Sequence, residues 1–233
     1  MRLSIAILLA TITVCGLGRA EELASDKVIA MAGELIQKGD TAAAFQMYRS
    51  SLQAKDSIDV RRAYGAACYK LALESRAKLE PQIEPKKAAL QAATEKAYKK
   101  VSVAKNANAT TSTRNGHVSA SSPGASDYTV FDPTYPPMLK AQHELEELQR
   151  ELDKGNALLT EGITQFRAVL RLNKNSDVNA TAHIALCSAA HPMLKGQGKI
   201  LLHDFIVKYA SPANPDEKAC LDECSKAYEA MLK

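Results

Sequence analysis

Apolar residues recur at three- and four-residue steps through most of this chain, and each such run predicts an amphipathic helix. Val28, Met31, Ala32, Leu35 and Ile36 predict a first helix over Lys27–Lys38, with Ser25 as its N-cap. Gly39 can take the left-handed conformation that stops a helix, and Asp40 can cap the next one. That second helix runs from Thr41 to about Lys55 and buries Ala44, Phe45, Tyr48 and Leu52. Asp59 opens a third, rich in alanine (Ala63, Ala66, Ala67), where small side chains let helix backbones approach closely. Pro81 and Pro85 then interrupt any continuous helix. A basic helix follows from about Lys86 to Lys105, with Leu90, Ala93, Ala97, Tyr98 and Val101 as a narrow apolar stripe. Its lysines surround the helix with Glu95 among them, which is the pattern of a solvated face; the alternative is a surface for an acidic partner.

The periodicity stops between residues 106 and 137. Runs of Asn, Ala, Thr, Ser, Gly and Pro there are too polar to bury a core and read as a low-complexity, disordered central loop. Tyr128, Val130, Phe131 and Tyr135 are the residues that could pin its end to the domain. From Met138 to Leu172 the helical signal is strongest, through Leu145, Leu148, Leu152, Leu159, Ile163, Phe166 and Leu170. Gly155-Asn156 predicts a turn that breaks this run into an antiparallel hairpin; the alternative is one long helix with a glycine inside it, at a cost of about 1 kcal/mol. Asp177 begins a helix that ends before Pro192, and Lys199–Tyr209 and Asp216–Leu232 complete the C-terminal set.

Two segments echo each other. Tyr48, Leu52, Asp59 and Val60 have the same spacing as Phe166, Leu170, Asp177 and Val178, and each group follows a Lys-Gly-polar step, Lys38-Gly39-Asp40 and Lys154-Gly155-Asn156. The first copy resembles a tetratricopeptide repeat. Ala32 and Leu35 match its first helix, Gly39-Asp40 its turn, and Ala44, Tyr48 and Leu52 its second helix. Tyr64-Gly65 falls where a following unit would begin, while Ser51 and Asp56 depart from the family's usual alanine and proline. The resemblance covers residues 27–73. It implies an all-α fold of antiparallel helix hairpins in a short or irregular solenoid, and a role in protein–protein interaction. Ile29 and Gly33 stand where one subset of the family carries Lys and Asn for a peptide carboxylate, so that ligand is not implied here.

Composition adds compartment. Met1-Arg2, the apolar run Leu3–Leu17 and the small residues Gly18 and Ala20 have the anatomy of a cleaved secretory leader over residues 1–20. An uncleaved anchor and a lipoprotein signal at Cys15 are the alternatives, the latter weakened by Val14 in place of a small residue. The expected organisation is a leader over 1–20, an N-terminal helical module over 21–105, a loop over 106–137 and a C-terminal helical module over 138–233. The mature chain is expected to be exported, periplasmic or extracellular, with no membrane span. A net charge of +4, spread among acidic residues, gives no concentrated basic face for nucleic acid. Four cysteines remain without the leader: Cys68, Cys187, Cys220 and Cys224. In an oxidising compartment an even number favours disulfides, with Cys187 a candidate partner for Cys220 or Cys224; the alternative is buried thiols used as small apolar groups. Asn108 and Asn179 each begin an Asn-x-Thr glycosylation sequence, relevant only in a eukaryotic host.

Candidate chemistry is sparse. His183, Cys187 and His191 share one helical spacing, and Cys220 with Cys224 adds two more potential zinc ligands. No phosphate loop, nucleophile elbow or dinucleotide glycine pattern is present. Two function classes follow. The leading one is an exported helical-repeat scaffold that binds a protein or peptide, or itself, without cofactor or catalysis. The other is a zinc protein or enzyme using the His183/Cys187/His191 face. Limited proteolysis should cut first between Asn106 and Pro133, and resistance there would show that the loop is packed.

Overall fold

The computed structural model describes residues 24–104 and 125–232. The expected leader, Cys15, Asn108 and most of the expected loop lie outside the described residues. The described chain is predominantly helical, with one two-stranded ribbon. No helix among the described residues is long and apolar enough to cross a membrane. Backbone contacts divide the protein into two units, the first ending at Val60 and the second beginning at Arg61.

In the first unit, α1 (Ser25–Gln37) and α2 (Thr41–Ala54) pack on each other through the expected turn. Gly39 has φ +85°, a conformation that costs a residue without a side chain little. Asp40 Oδ1 accepts from Ala43 N at 3.1 Å and so caps α2. Val28 and Ala32 of α1, with Ala44, Phe45 and Tyr48 of α2, are buried, whereas Leu35 and Leu52 are half-buried. Ser25 is not the N-cap of α1. Ala24 holds that position without a side-chain bond, and the Ser25 hydroxyl lies 3.0 Å from that of Ser57. The third helix, α3 (Ile58–Leu79), starts just before Asp59, with the Ser57 hydroxyl accepting from Val60 N at 3.4 Å.

The second unit holds the rest of α3, then α4 (Ile83–Ala97), strands β1 (Tyr98–Ala104) and β2 (Ala125–Phe131), and helices α5 (Pro136–Leu172), α6 (Val178–Ala190), α7 (Lys195–Lys208) and α8 (Pro215–Ala230). Pro81 sits in a short 3-10 turn before α4, and Pro192 opens another before α7. The basic helix expected to reach Lys105 stops at Ala97. From Tyr98 the chain is extended and pairs antiparallel with β2, Tyr98 opposite Phe131 and Ala104 opposite Ala125. Tyr98, Val101 and Val103 suit a strand, and this local preference outweighs the short helical stripe that Tyr98 and Val101 had extended. The C-terminal end of the expected loop is thereby ordered. Asp132 N bonds Ala97 O at 3.0 Å, and Tyr135 packs on a cluster of Ala93, Ala97 and Met138 that joins α4 to α5. Lys86 reaches Glu144 across the same pair of helices at 2.7 Å.

The hairpin expected at Gly155-Asn156 does not form: α5 runs unbroken through it. Gly155 is buried, and a Cβ placed on it would meet Ala72 O and Ser75 at ordinary contact distances of 3.8–3.9 Å. The apolar stripe continues in phase on both sides, and burial of Leu148, Leu152, Leu159 and Ile163 outweighs the small propensity cost of one glycine. Two other glycines are spatial requirements. A Cβ on Gly65 of α3 would come within 2.8 Å of the Phe166 ring of α5. One on Gly198 of α7 would lie 2.2 Å from Ala189 N of α6. Helices α6, α7 and α8 share a core of Ala182, Ala185, Leu186, Leu202, Phe205, Cys220 and Cys224.

Opposite effects are expected from two alanine substitutions. Gly155→Ala should raise unfolding stability by up to about 1 kcal/mol, because the site has room and helix propensity improves. Gly198→Ala should lower it by about 2–3 kcal/mol or more through overpacking against backbone. Chemical denaturation of the two variants measures both.

Candidate functional site

The residues singled out by sequence are placed in helix packing. His183 projects from α6, stacks on the Phe166 ring with centroids 4.8 Å apart, and meets Tyr69 edge-on at 5.9 Å. Its Nδ1 donates to the Asn179 carbonyl at 2.9 Å, one turn back. Cys187 is fully buried one turn further along α6. His191 ends that helix in extended backbone, and its Nδ1 accepts from Met193 N at 3.2 Å. Burial, then the nearby Arg76 charge, lowers the His191 pKa. Pro192 thus turns His191 away from the helical register of the other two, as the residue before a proline favours. Among the described residues no group of three or more His, Cys, Asp or Glu side chains is arranged to hold a metal ion.

All four described cysteines are buried, and no disulfide joins them among the described residues. The expectation of disulfides therefore gives way to thiols that serve as small packing groups in helix seams. Cys68 and Cys187 both border the close approach at Gly162, where a Cβ would lie 3.4 Å from Cys187 Sγ and 3.6 Å from Cys68 Cβ. Cys220 and Cys224 turn one face of α8 toward α6. Asn179 Nδ2 lies 3.8 Å from Cys220 Sγ, and Cys224 Sγ lies 4.0 Å from Ala182 O. Burial, reinforced by Glu223, pushes the Cys187 thiol up to about 12. Burial, then Cys220 and Glu223, does the same to Cys224, also to about 12. Burial also raises Cys220 and the neighbouring Tyr69 phenol. Thiols so shifted are protonated at neutral pH and are poor nucleophiles.

A polar cleft of about 230 Å³ lies where α3, the α5–α6 turn and the start of α8 converge, lined by Arg62, Asn173, Asp177, Asn179, Asn214 and Glu217. Sequence reasoning placed Asp177 only at the start of a helix, which it in fact caps. Its Oδ1 accepts from Ala180 N at 2.8 Å. It is also buried, and its Oδ2 accepts from Arg62 Nε at 3.1 Å and from Asn173 Nδ2 at 3.4 Å. Burial alone would raise its pKa. The Ala180 N–H, the bond from Arg62, the Arg62 charge and Asn173 outweigh that and hold it below the usual range. A carboxylate held ionised in this way locks elements together and is no general acid at neutral pH. At the opposite wall, Asn214 caps α8 by accepting from Glu217 N at 2.9 Å, and Glu217 accepts in return from Ala213 N at 2.7 Å. The Arg62–Asp177 pair spans 115 positions of sequence, so no local pattern announces it.

Large apolar groups are exposed at several points, among them the ribbon and α7. Tyr98 and Phe131 are an exposed cross-strand pair at the base of the ribbon, with their rings 5.1 Å apart, and Val130 is exposed on the other face of the same strand. Ile200 and Val207 are outward along α7, and Met193 is outward in the 3-10 turn before it. No family model, curated protein or solved structure matches this chain.

Because Asp177 has a lowered pKa when folded, its stabilisation is fully present above the ordinary carboxylate pKa and is lost as pH falls through the lowered one. Asp177→Ala should cost about 2–3 kcal/mol at neutral pH, through the lost cap and the abandoned Arg62, discounted because Arg62 is 37% exposed. Asp177→Asn should flatten the acid side of the stability profile, which urea unfolding between neutral and acid pH measures.

Proposed function

We propose that this chain is an exported helical scaffold of degenerate tetratricopeptide-like type that binds a protein or peptide partner. The observation that carries this reading is the ribbon base. Tyr98 is 52% and Phe131 41% exposed, and the two rings lie 5.1 Å apart as a cross-strand pair on one face of the ribbon. Strands β1 and β2 pair only with each other among the described residues, so each keeps an outer edge. Such an edge suits an extended peptide, which would take main-chain bonds from the strand and rest side chains on the aromatic pair.

Three further features support it. The leader-like start favours export. The α1–Gly39–Asp40–α2 turn has the left-handed glycine and aspartate cap that the family resemblance implies. His183, Cys187 and His191 are each engaged in packing or capping, which takes away the positive argument for a zinc-dependent enzyme.

Immobilised full-length protein should capture specific exported proteins from its source, and Phe131→Glu should lose them while circular dichroism stays unchanged. Capture of the same set by Phe131→Glu would overturn the ribbon site. Stoichiometric zinc in the purified chain, with unfolding on chelation, would overturn the scaffold reading in favour of a metal protein.

A further inference from the structure

Helix α7 packs through Gly198, Leu202 and Phe205, and its opposite side has no covering element among the described residues. On that side Ile200 is 63% and Val207 64% exposed, with Met193, at 86%, seven residues before Ile200 in the preceding turn. Ile200 and Val207 have the seven-residue spacing of one position of a coiled-coil seam, while Met193 lies in the 3-10 turn before the helix. Gly196 and His203 fall at the other seam position, and nothing stands within 4 Å of where a Cβ on Gly196 would be.

The charges flanking Ile200 choose the occupant. Lys199 precedes it, and Asp204 lies five residues beyond Lys199. Among the described residues Lys199 has no acidic partner, and the partner of Asp204 is His203 at 3.6 Å, an ion pair only when the histidine is protonated. In a parallel pair of identical helices a residue at the position of Lys199 faces the position of Asp204 on the other helix. Two-fold symmetry makes the contact twice, closing Lys199–Asp204 pairs on both sides of an Ile200–Ile200 contact. An antiparallel pair would instead set like positions, and so like charges, against each other.

We propose that the outward face of α7 is a self-association surface, on which a second copy of this chain docks in parallel to form a two-fold dimer. About two helical heptads of contact fall short of the ~1,200 Å² of a standard interface, so the dimer is a weak one that dissociates on dilution. The proposal goes beyond partner binding at the ribbon base and uses none of its residues.

Sedimentation velocity on the full chain across a wide concentration range tests it. A monomer–dimer equilibrium is expected. Ile200→Glu should abolish the dimer, with circular dichroism unchanged because the side chain is exposed. Asp204→Lys should weaken the dimer about tenfold by turning two exposed attractions into repulsions, and Lys199→Asp in the same chain should restore it. A wild-type monomer at every concentration, an Ile200→Glu dimer of wild-type strength, or no rescue by the double reversal would each overturn the proposal. Capture of exported partners by the Ile200→Glu variant reads the ribbon-base function separately, so loss of one activity does not mimic loss of the other.

Discussion

Close approach of helix backbones governs the larger unit. At Gly65 the α3 backbone admits the Phe166 ring, at Gly162 α5 comes within van der Waals reach of Gly65 O, Cys68 and Cys187, and at Gly198 α7 crosses α6 with no room for a Cβ. The contacts at Gly65 and Gly162 lie one helical turn apart on facing helices. Each replaces side-chain volume with backbone proximity, and packed interiors tolerate little change in such volume. Alanines continue the same principle, with Ala72, Ala168, Ala180, Ala182 and Ala185 all buried. Cysteine belongs to the same set: it is a small apolar side chain that leaves no polar group demanding a strong partner.

This constraint explains why the chemical groups in the core are quiet. A seam tight enough to need glycine also excludes water, and desolvation is the largest cause of the upward shift at Cys187, Cys220 and Cys224. Asp177 is the exception that the fold accommodates with dedicated donors. It faces Arg62 across the α3–α6 seam and caps α6 from the same carboxylate, so one residue fixes both a helix start and a helix pairing. The polar cleft around it is therefore best understood as the rim of that lock. Large apolar side chains stay exposed where helices and ribbon run out of neighbours.

Much of this was legible in the sequence because it depends on local chemistry. The 3.6-residue periodicity located the helices, and Asp40, Asp177 and Gly39 acted as the caps and stop that their side chains, or lack of one, prescribe. Pro136 and Pro137 occupy the first turn of α5, where proline is tolerated. What failed was reasoning that needed long-range partners. Gly155 looks like a turn signal in a local window, but it lies in a buried stripe whose packing holds the helix straight through. Tyr98 and Val101 extend a helical stripe on paper, yet their strand preference is realised because β2 lies across from them, more than twenty residues on in the chain. The cysteines were similarly ambiguous, since their even count states nothing about the direction of each Cβ. The candidate site shows the same division: Asp177 was visible as a helix start, while Arg62 gave no local sign of its partner.

The most direct test is native-state hydrogen exchange on the intact protein, resolved by residue. If close backbone crossing fixes the larger unit, amides next to Gly65, Gly162 and Cys187 should belong to the slowest-exchanging class and open only with global unfolding. Exchange there as fast as at the frayed ends of α7 and α8 would contradict the account, because it would mean that the glycine contacts form without holding the helices together.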